Sequence, residues 1–180
     1  CTSVASVSTT INTQPTTPVA PTIGTITQTT CASATGSVQL TGLPAGAWTI
    51  NPGAIAGSGA TYTVSGLAAG TYNFTVTNAS SCTSLASASA TINVQPPTPS
   101  APTIGTITQT TCASATGSIE LTGLPAGAWT INPGAIAGSG ATYTVSGLVA
   151  GSYTFTVTNA VGCTSVASVS TTINTQPTTP

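Results

Sequence analysis

Apolar and polar residues alternate at a period of two through most of this chain. In GSVQLTG, Val38 and Leu40 fall on one side while Ser37, Gln39 and Thr41 fall on the other. AWTIN repeats the pattern with Trp48 and Ile50, ATYTVS with Tyr62 and Val64, and TYNFTVTN with Tyr72, Phe74 and Val76. Successive side chains of a strand leave opposite faces, so each run predicts a strand with one buried and one solvated side. The run ASASATINV predicts a last strand with Ala86, Ala88, Ala90, Ile92 and Val94 inward. The leading run TIGTITQ breaks phase between Ile23 and Ile26, and Gly24 between them predicts a β-bulge. LPAG, NPG, the GSG at 57–59, LAAG and NASS supply turns. Six or seven short antiparallel strands in about 80 residues predict an all-β fold, an Ig-like (fibronectin III-like) β-sandwich.

The pattern occurs twice. Cys1, Cys82 and Cys163 are spaced 81 apart, as are Cys31 and Cys112, and residues 19–99 and 100–180 align without a gap, differing at 13 positions. A period this long marks a tandem array of whole domains. The opening CTSVASVSTTINTQPTTP returns unchanged at 163–180, as it would in a segment of a longer array. Proline clusters such as QPTTPVAP and QPPTPSAP favour extended, semi-stiff backbone and read as spacers. The expected organisation is therefore residues 1–14 as the last strand of a preceding repeat, 15–21 as linker, 22–94 as the first sandwich, 95–102 as linker, 103–175 as the second sandwich, and 176–180 as the start of another linker. Trp48 and Trp129 are expected to anchor the cores, the alternative being exposed sugar platforms. Tyr72 and Tyr153, in LAAGTY and LVAGSY, suit a tyrosine corner whose hydroxyl ties back to the chain.

Composition then narrows the chemistry. The chain has no Lys, Arg, His, Asp or Met, and its one acid is Glu120, which replaces Gln39 of the first repeat and is expected to be a solvated strand residue. General acid–base catalysis needs a positioned titratable group with a second group to orient it, and the many hydroxyls have no base to activate them. The sequence thus argues against an enzyme. Without cationic side chains it also argues against nucleic acid and anionic membrane surfaces as partners. Carboxylate calcium sites and Cys/His zinc sites lack their ligands, and no cofactor is expected. No run of about 18 apolar residues exists to insert in a bilayer.

Five cysteines are odd in number, but the repeat accounts for the remainder. Pairing Cys31 with Cys82 and Cys112 with Cys163 brackets each strand set and leaves Cys1 for a preceding repeat. Such a bridge closes a loop of about fifty residues and adds roughly 4 kcal/mol on the chain-entropy model. The other register joins Cys1 to Cys31 and Cys82 to Cys112, stapling neighbouring domains; free thiols are the third reading. Regular bridges imply an oxidising setting, extracellular, on the cell surface or secreted.

TCASATGSVQLTG, followed some thirty residues on by GLAAGTYNFTVTNASSC, resembles the SprB-type repeats of very large bacterial surface adhesins, in which Cys, Gly-Ser, L-x-x-G-T-Y, V-T-D and Cys recur. The likeness covers most of both repeats and implies secretion to the cell exterior and a repetitive stalk, adhesin or fibre. Two departures stand out: GLPAGAWTINPG occupies the central segment, and Asn78 or Asn159 stands where the family has Asp.

Ser and Thr make up about a third of the chain and recur on the predicted outward faces, where β-branched Thr suits a pleated, solvated surface. With almost no charge to guard sheet edges, other copies of the same repeat are the expected partners, in a filament or stalk. Continuous threading of domain after domain is one mode; donation of residues 1–14 to a neighbouring sandwich is another. The competing function is recognition of a glycan or ice through rows such as Thr61/Thr63 and Thr75/Thr77. Sequons at Asn73 (with Thr75) and Asn78 have no counterparts in the second repeat. Covalent glycans there, or O-linked on Thr16 and Thr17 in the linker, are expectations of composition alone.

Overall fold

The computed structural model describes Cys1 and residues 3–178. They form two compact units, one of residues 1–29 and 33–94, the other of 30–32 and 95–180. In the first, β1 (Thr22–Thr27), β2 (Gly36–Thr41), β3 (Ala47–Asn51), β4 (Ile55–Ser58), β5 (Thr61–Leu67), β6 (Gly70–Tyr72), β7 (Thr75–Asn78) and β8 (Ala90–Ile92) follow in order. One sheet runs β1-β2-β5 and the second β4-β3-β7, while β6 pairs with β8. Every pairing is antiparallel. The second unit repeats this with β9 (Thr103–Thr108), β10 (Gly117–Thr122), β11 (Ala128–Asn132), β12 (Ile136–Ser139), β13 (Thr142–Leu148), β14 (Gly151–Tyr153), β15 (Thr156–Asn159) and β16 (Thr171–Ile173).

Alternation dictates the sandwich. Val38 and Leu40 of β2 and Val64 of β5 enter the same core as Trp48 and Ile50 of β3, Val76 of β7 and Ile92 of β8. One apolar face from each sheet is thereby removed from water, which is the main favourable term in a fold of this kind. The second unit packs Ile119, Leu121, Trp129, Ile131, Val145, Phe155, Val157 and Ile173 equivalently. Both units are thus Ig-like (fibronectin III-like) sandwiches. The bulge falls where the phase break predicts it, with the β1–β2 register shifting between Ile23 and Ile26. Glu120 is half-buried, and its Oε2 accepts a hydrogen bond from the Thr106 N–H at 3.2 Å, beside the equivalent bulge of β9. Glu120 is therefore part of the bulge rather than a purely solvated residue.

Trp48 is 3% exposed, and its Nε1–H donates to the Gly59 carbonyl (2.9 Å); Trp129 does the same to Gly140 (2.8 Å). Both are core anchors, with no exposed face to serve as a sugar platform. Tyr62 stands edge-on to Trp48 at 5.4 Å and remains 37% exposed. The tyrosine corners are present as well: Tyr72 Oη–H donates to Ala68 O (3.0 Å) and Tyr153 to Val149 O (2.8 Å). β4 and β12 were not read from the sequence, because IAGS carries two small residues and a Gly that resemble a turn. Gly57 lies against the Trp48 ring, where a Cβ would come within 2.4 Å, so the position has no room for a side chain.

The last segment departs from the expected alternation. Ala90 and Ile92 are buried as expected, but before them Ser84 and Ser87 are the buried positions, whereas Ala86 and Ala88 are exposed, Leu85 is 82% exposed and Val94 79%. A burial period of three belongs to polyproline II geometry, not to a pleated strand. Only Ala90–Ile92 pairs as a regular strand. The rest is held by backbone and hydroxyl bonds together: the Ser84 and Ser87 N–H groups donate to Val76 O and Phe74 O, while the Phe74 N–H donates to Ser87 Oγ (2.9 Å) and the Val76 N–H to Ser84 Oγ (3.0 Å). Residues 1–14, expected to be the last strand of a preceding repeat, form no strand at their described positions, and Val4, Val7 and Ile11 are exposed. Within each sandwich the corresponding place is filled by the chain's own 84–92 or 165–173.

Candidate functional site: the cysteine turns and the linker strap

Two local structures carry the cysteines, and each occurs once per repeat. The first is the turn between the opening two strands. Around Cys112 it closes by reciprocal backbone bonds between Thr111 and Ser114, and the Ser114 hydroxyl donates to Thr116 O (2.9 Å). Ser33 likewise donates to Thr35 O (3.0 Å) beside Cys31. A glutamine from the following spacer grips each turn: Gln95 Nε2–H donates to Cys31 O (3.1 Å), and Gln176 Nε2–H to Cys112 O (3.0 Å).

The second is the loop after β7 or β15, organised by an asparagine. Asn78 Oδ1 accepts from the N–H groups of Ser80 and Cys82, each at 3.0 Å, while Asn78 Nδ2–H donates to Thr16 O (2.9 Å). Asn159 Oδ1 accepts from the Cys163 N–H (2.9 Å), and its Nδ2–H donates to Pro97 O (2.9 Å). The Asn side chain stands in for a turn of backbone, a known use of this residue. It also straps the preceding proline spacer onto its own sandwich. Cys82 Sγ lies 3.9 Å from Pro15 O, and Cys163 Sγ lies 3.9 Å from Pro96 O.

The disulfide joins one structure of each kind. Cys31 bonds Cys163, across 132 residues, while Cys1, Cys82 and Cys112 are free thiols. This corrects the expected pairing of Cys31 with Cys82 and Cys112 with Cys163, and the alternative register of Cys1 with Cys31 and Cys82 with Cys112. By their contacts residues 30–32 group with the second unit, where Gln95 holds the Cys31 carbonyl. Cys82 belongs to the first unit. The bridge therefore reaches one whole repeat beyond Cys82.

The remaining candidates are separated or already engaged. Asn73 Nδ2 donates to Ser87 O and Ser89 Oγ, both at 3.1 Å, and Asn78 is occupied as described, so both sequon amides serve the sandwich. Thr16 and Thr17 are exposed in the strap, and Thr75 is half-buried opposite Asn51. The hydroxyl rows fall on different sheets: Thr61 and Thr63 pair with Thr41 and Gln39 of β2, whereas Thr75 and Thr77 pair with Asn51 and Thr49 of β3. They do not make one continuous face. Gln95 was not singled out in the sequence, and Asn78 was read there as a sequon rather than as the organiser of the loop, although Asn four residues before Cys in TNASSC and TNAVGC is a recognisable side-chain turn. Among the described residues, no cluster of three His, Cys, Asp or Glu side chains occurs, and no helix is long and apolar enough to cross a membrane.

No family model and no curated protein matches the chain. Among solved structures, the chain is similar to the chicken CNTN1 FN1-FN3 domains at 15% identity and TM-score 0.33, covering 91% of this chain and 66% of that one. It is similar to the human OSCAR ligand-binding domain at 12% identity and TM-score 0.34, covering 88% and 100%. The BSP domain of a biofilm-associated protein aligns at 18% identity and TM-score 0.30, covering 89% of this chain and 30% of that one.

Proposed function

We propose that this chain is a structural repeat of an extracellular stalk or fibre, built from tandem β-sandwiches and acting through its length rather than through chemistry of its own. The observation that carries this reading is the strap. Both sandwiches hold their preceding proline spacer by the same asparagine bond, Asn78 to Thr16 O and Asn159 to Pro97 O. A spacer that is both proline-stiffened and docked removes the swivel that a flexible linker leaves between beads. The Cys31–Cys163 bridge supports an oxidising location, outside the reducing cytosol. A surface with one charged side chain, Glu120, keeps its character across pH and salt, which suits a passive extracellular material. The resemblance to SprB-type adhesin repeats points the same way.

Small-angle X-ray scattering of arrays with two, four and eight repeats tests the proposal. A maximum dimension growing linearly with repeat number is expected of a stalk. Growth close to the square root of repeat number, the behaviour of flexibly linked beads, would overturn it. Recognition of a glycan or of ice is set aside as the function because its two hydroxyl rows lie on separate sheets.

A further inference from the structure

The two three-stranded sheets of each sandwich present four edges, and three of these are blunted. β1 is broken by its bulge, the register shifting between Ile23 and Ile26, and β9 by the same shift between Ile104 and Ile107. β4 and β12 are only four residues long. β7 is covered by the 84–87 segment, whose Ser84 and Ser87 N–H groups take Val76 O and Phe74 O, and β15 is covered in the same way by Ser165 and Ser168. Bulges, short strands and covering segments keep a sheet edge from pairing with another chain, charge being the other common means. The fourth edge has none of these. β5 pairs with β2 without a break from Thr61 to Ser65 and stands last in its sheet, and among the described residues no backbone group meets its outer side. β13 is the same strand, TYTVSGL, in the same place. Both carry an aromatic ring of the core left partly uncovered: Tyr62 and Tyr143, beside the buried Trp48 and Trp129, are each 37% exposed.

We infer that the outer edge of β5, and identically that of β13, is an interaction surface that takes the same strand of a second copy of this chain in antiparallel pairing. The edge is complementary to itself. A two-fold pairing centred on Thr63 sets Thr63 of one copy opposite Thr63 of the other, Tyr62 opposite Val64 and Thr61 opposite Ser65. The opposed residues are of like parity, so the N–H and C=O groups that point outward from one strand meet those of the other. On the core side an aromatic meets a β-branched residue and the open flank of Tyr62 is covered; on the solvent side hydroxyl meets hydroxyl. No charged side chain lies on either strand to oppose this. Glu120 lies opposite Thr144, one strand in from the β13 edge. Two copies joined there hold their carboxylates three strand spacings apart, ~14 Å, beyond the screening length of about 8 Å at physiological salt. The inference deepens the stalk reading by giving the stalk a lateral partner, and rests on that reading for its biological meaning alone.

Self-association of the full chain tests it, followed by sedimentation velocity with the free thiols capped by iodoacetamide so that no new disulfide contributes. Thr63 and Thr144 are exposed, so a long charged side chain is accommodated at both in the separate molecule. Thr63→Lys with Thr144→Lys sets like charges face to face across the joint, and so does Thr63→Glu with Thr144→Glu. The unsubstituted chain is expected to associate as its concentration rises, with hydrogen exchange slowing at the amides of β5 and β13. Each charged form is expected to associate at least about tenfold more weakly, and an equimolar mixture of the two should recover association through opposite charges. Thr22→Lys with Thr103→Lys, exposed on the bulged β1 and β9, adds the same charge away from the edge and should associate as the unsubstituted chain does. An unsubstituted chain that stays monomeric at every concentration overturns the inference. So does association that is undiminished in the charged forms, equally lost in the β1 and β9 control, or unrecovered in the mixture. Should the charged forms melt early, exchange in the unsubstituted chain decides: protection that grows with concentration anywhere but β5 and β13 overturns the inference. Scattering on arrays of the Lys form, whose edge is blocked, tests the stalk separately. Linear growth without association in the unsubstituted chain leaves a stalk that stands alone, whereas association with square-root growth leaves a paired but flexible chain.

Discussion

Ser87 stands in for backbone at Phe74. Its Oγ accepts the Phe74 N–H at 2.9 Å and its own hydroxyl proton goes to Ala88 O at 2.8 Å, so a buried main-chain donor is satisfied where the ladder is interrupted. Ser168 and Phe155 repeat the arrangement. Ser87→Ala should therefore cost about 1–3 kcal/mol, the penalty for leaving a buried donor unpaired, measured by urea unfolding. Ser6→Ala, at the matching place in the exposed segment, should change stability by no more than about 0.5 kcal/mol. Equal losses at both sites would mean that the hydroxyl is not the reason for the serine.

A Cβ placed on Gly57 would lie 2.4 Å from Cη2 of the buried Trp48 ring. The ring is held by its bond to Gly59 and cannot turn aside at little cost. Gly57→Ala should destabilise by about 1–3 kcal/mol through overpacking and should alter tryptophan fluorescence. Gly46→Ala, where nothing lies within 4 Å, is the matched control and should be close to neutral.

The turn before each loop cysteine uses left-handed backbone, at Ser81 with φ 63° and at Gly162 with φ 85°. Side chains disfavour that region by about 1–2 kcal/mol, partly offset by the greater chain entropy of glycine. Ser81→Gly should raise the unfolding free energy by up to about 1 kcal/mol, and Gly162→Ser should lower it comparably. Opposite signs in thermal melts of the two variants are the expected result.

Removing the strap should loosen the spacer before it damages the core. Asn78→Ala deletes the bond to Thr16 O and the two turn bonds to Ser80 and Cys82. Backbone order parameters at Thr16 and Thr17 should fall below about 0.6, while those of β2 and β5 stay near 0.85. Unchanged order in the spacer would show that proline alone holds it.

Stability should be nearly flat with pH. With no Lys, Arg or His and a single carboxylate side chain, few protons are bound or released between pH 5 and 7 in either state, and the linkage slope is small. Denaturant midpoints at pH 5, 6 and 7 should agree within the equivalent of about 0.5 kcal/mol.

Much of the sandwich was legible because its signal is local. Val38 and Leu40, Trp48 and Ile50, and Phe74 and Val76 alternate with polar neighbours, and alternation alone tells which face meets the core. The bulge at Gly24 and the corner at Tyr72 announce themselves through a phase break and a short motif. The 84–90 segment misled for an equally local reason: Ala-Ser-Ala-Ser alternates in letters, yet alanine is small enough to sit on either side. What chose Ser84 and Ser87 for the interior was the need of the Phe74 and Val76 N–H groups for hydrogen-bond acceptors, which lies on another segment of the chain.

The sequence by itself determined an all-β, repeated and nearly uncharged chain, since strand period, repeat length and side-chain chemistry are properties of neighbouring residues. It set the 81-residue spacing of the cysteines but not their pairing. Only tertiary structure decided that Cys31 bonds Cys163, because two equal spacings are indistinguishable along a periodic chain.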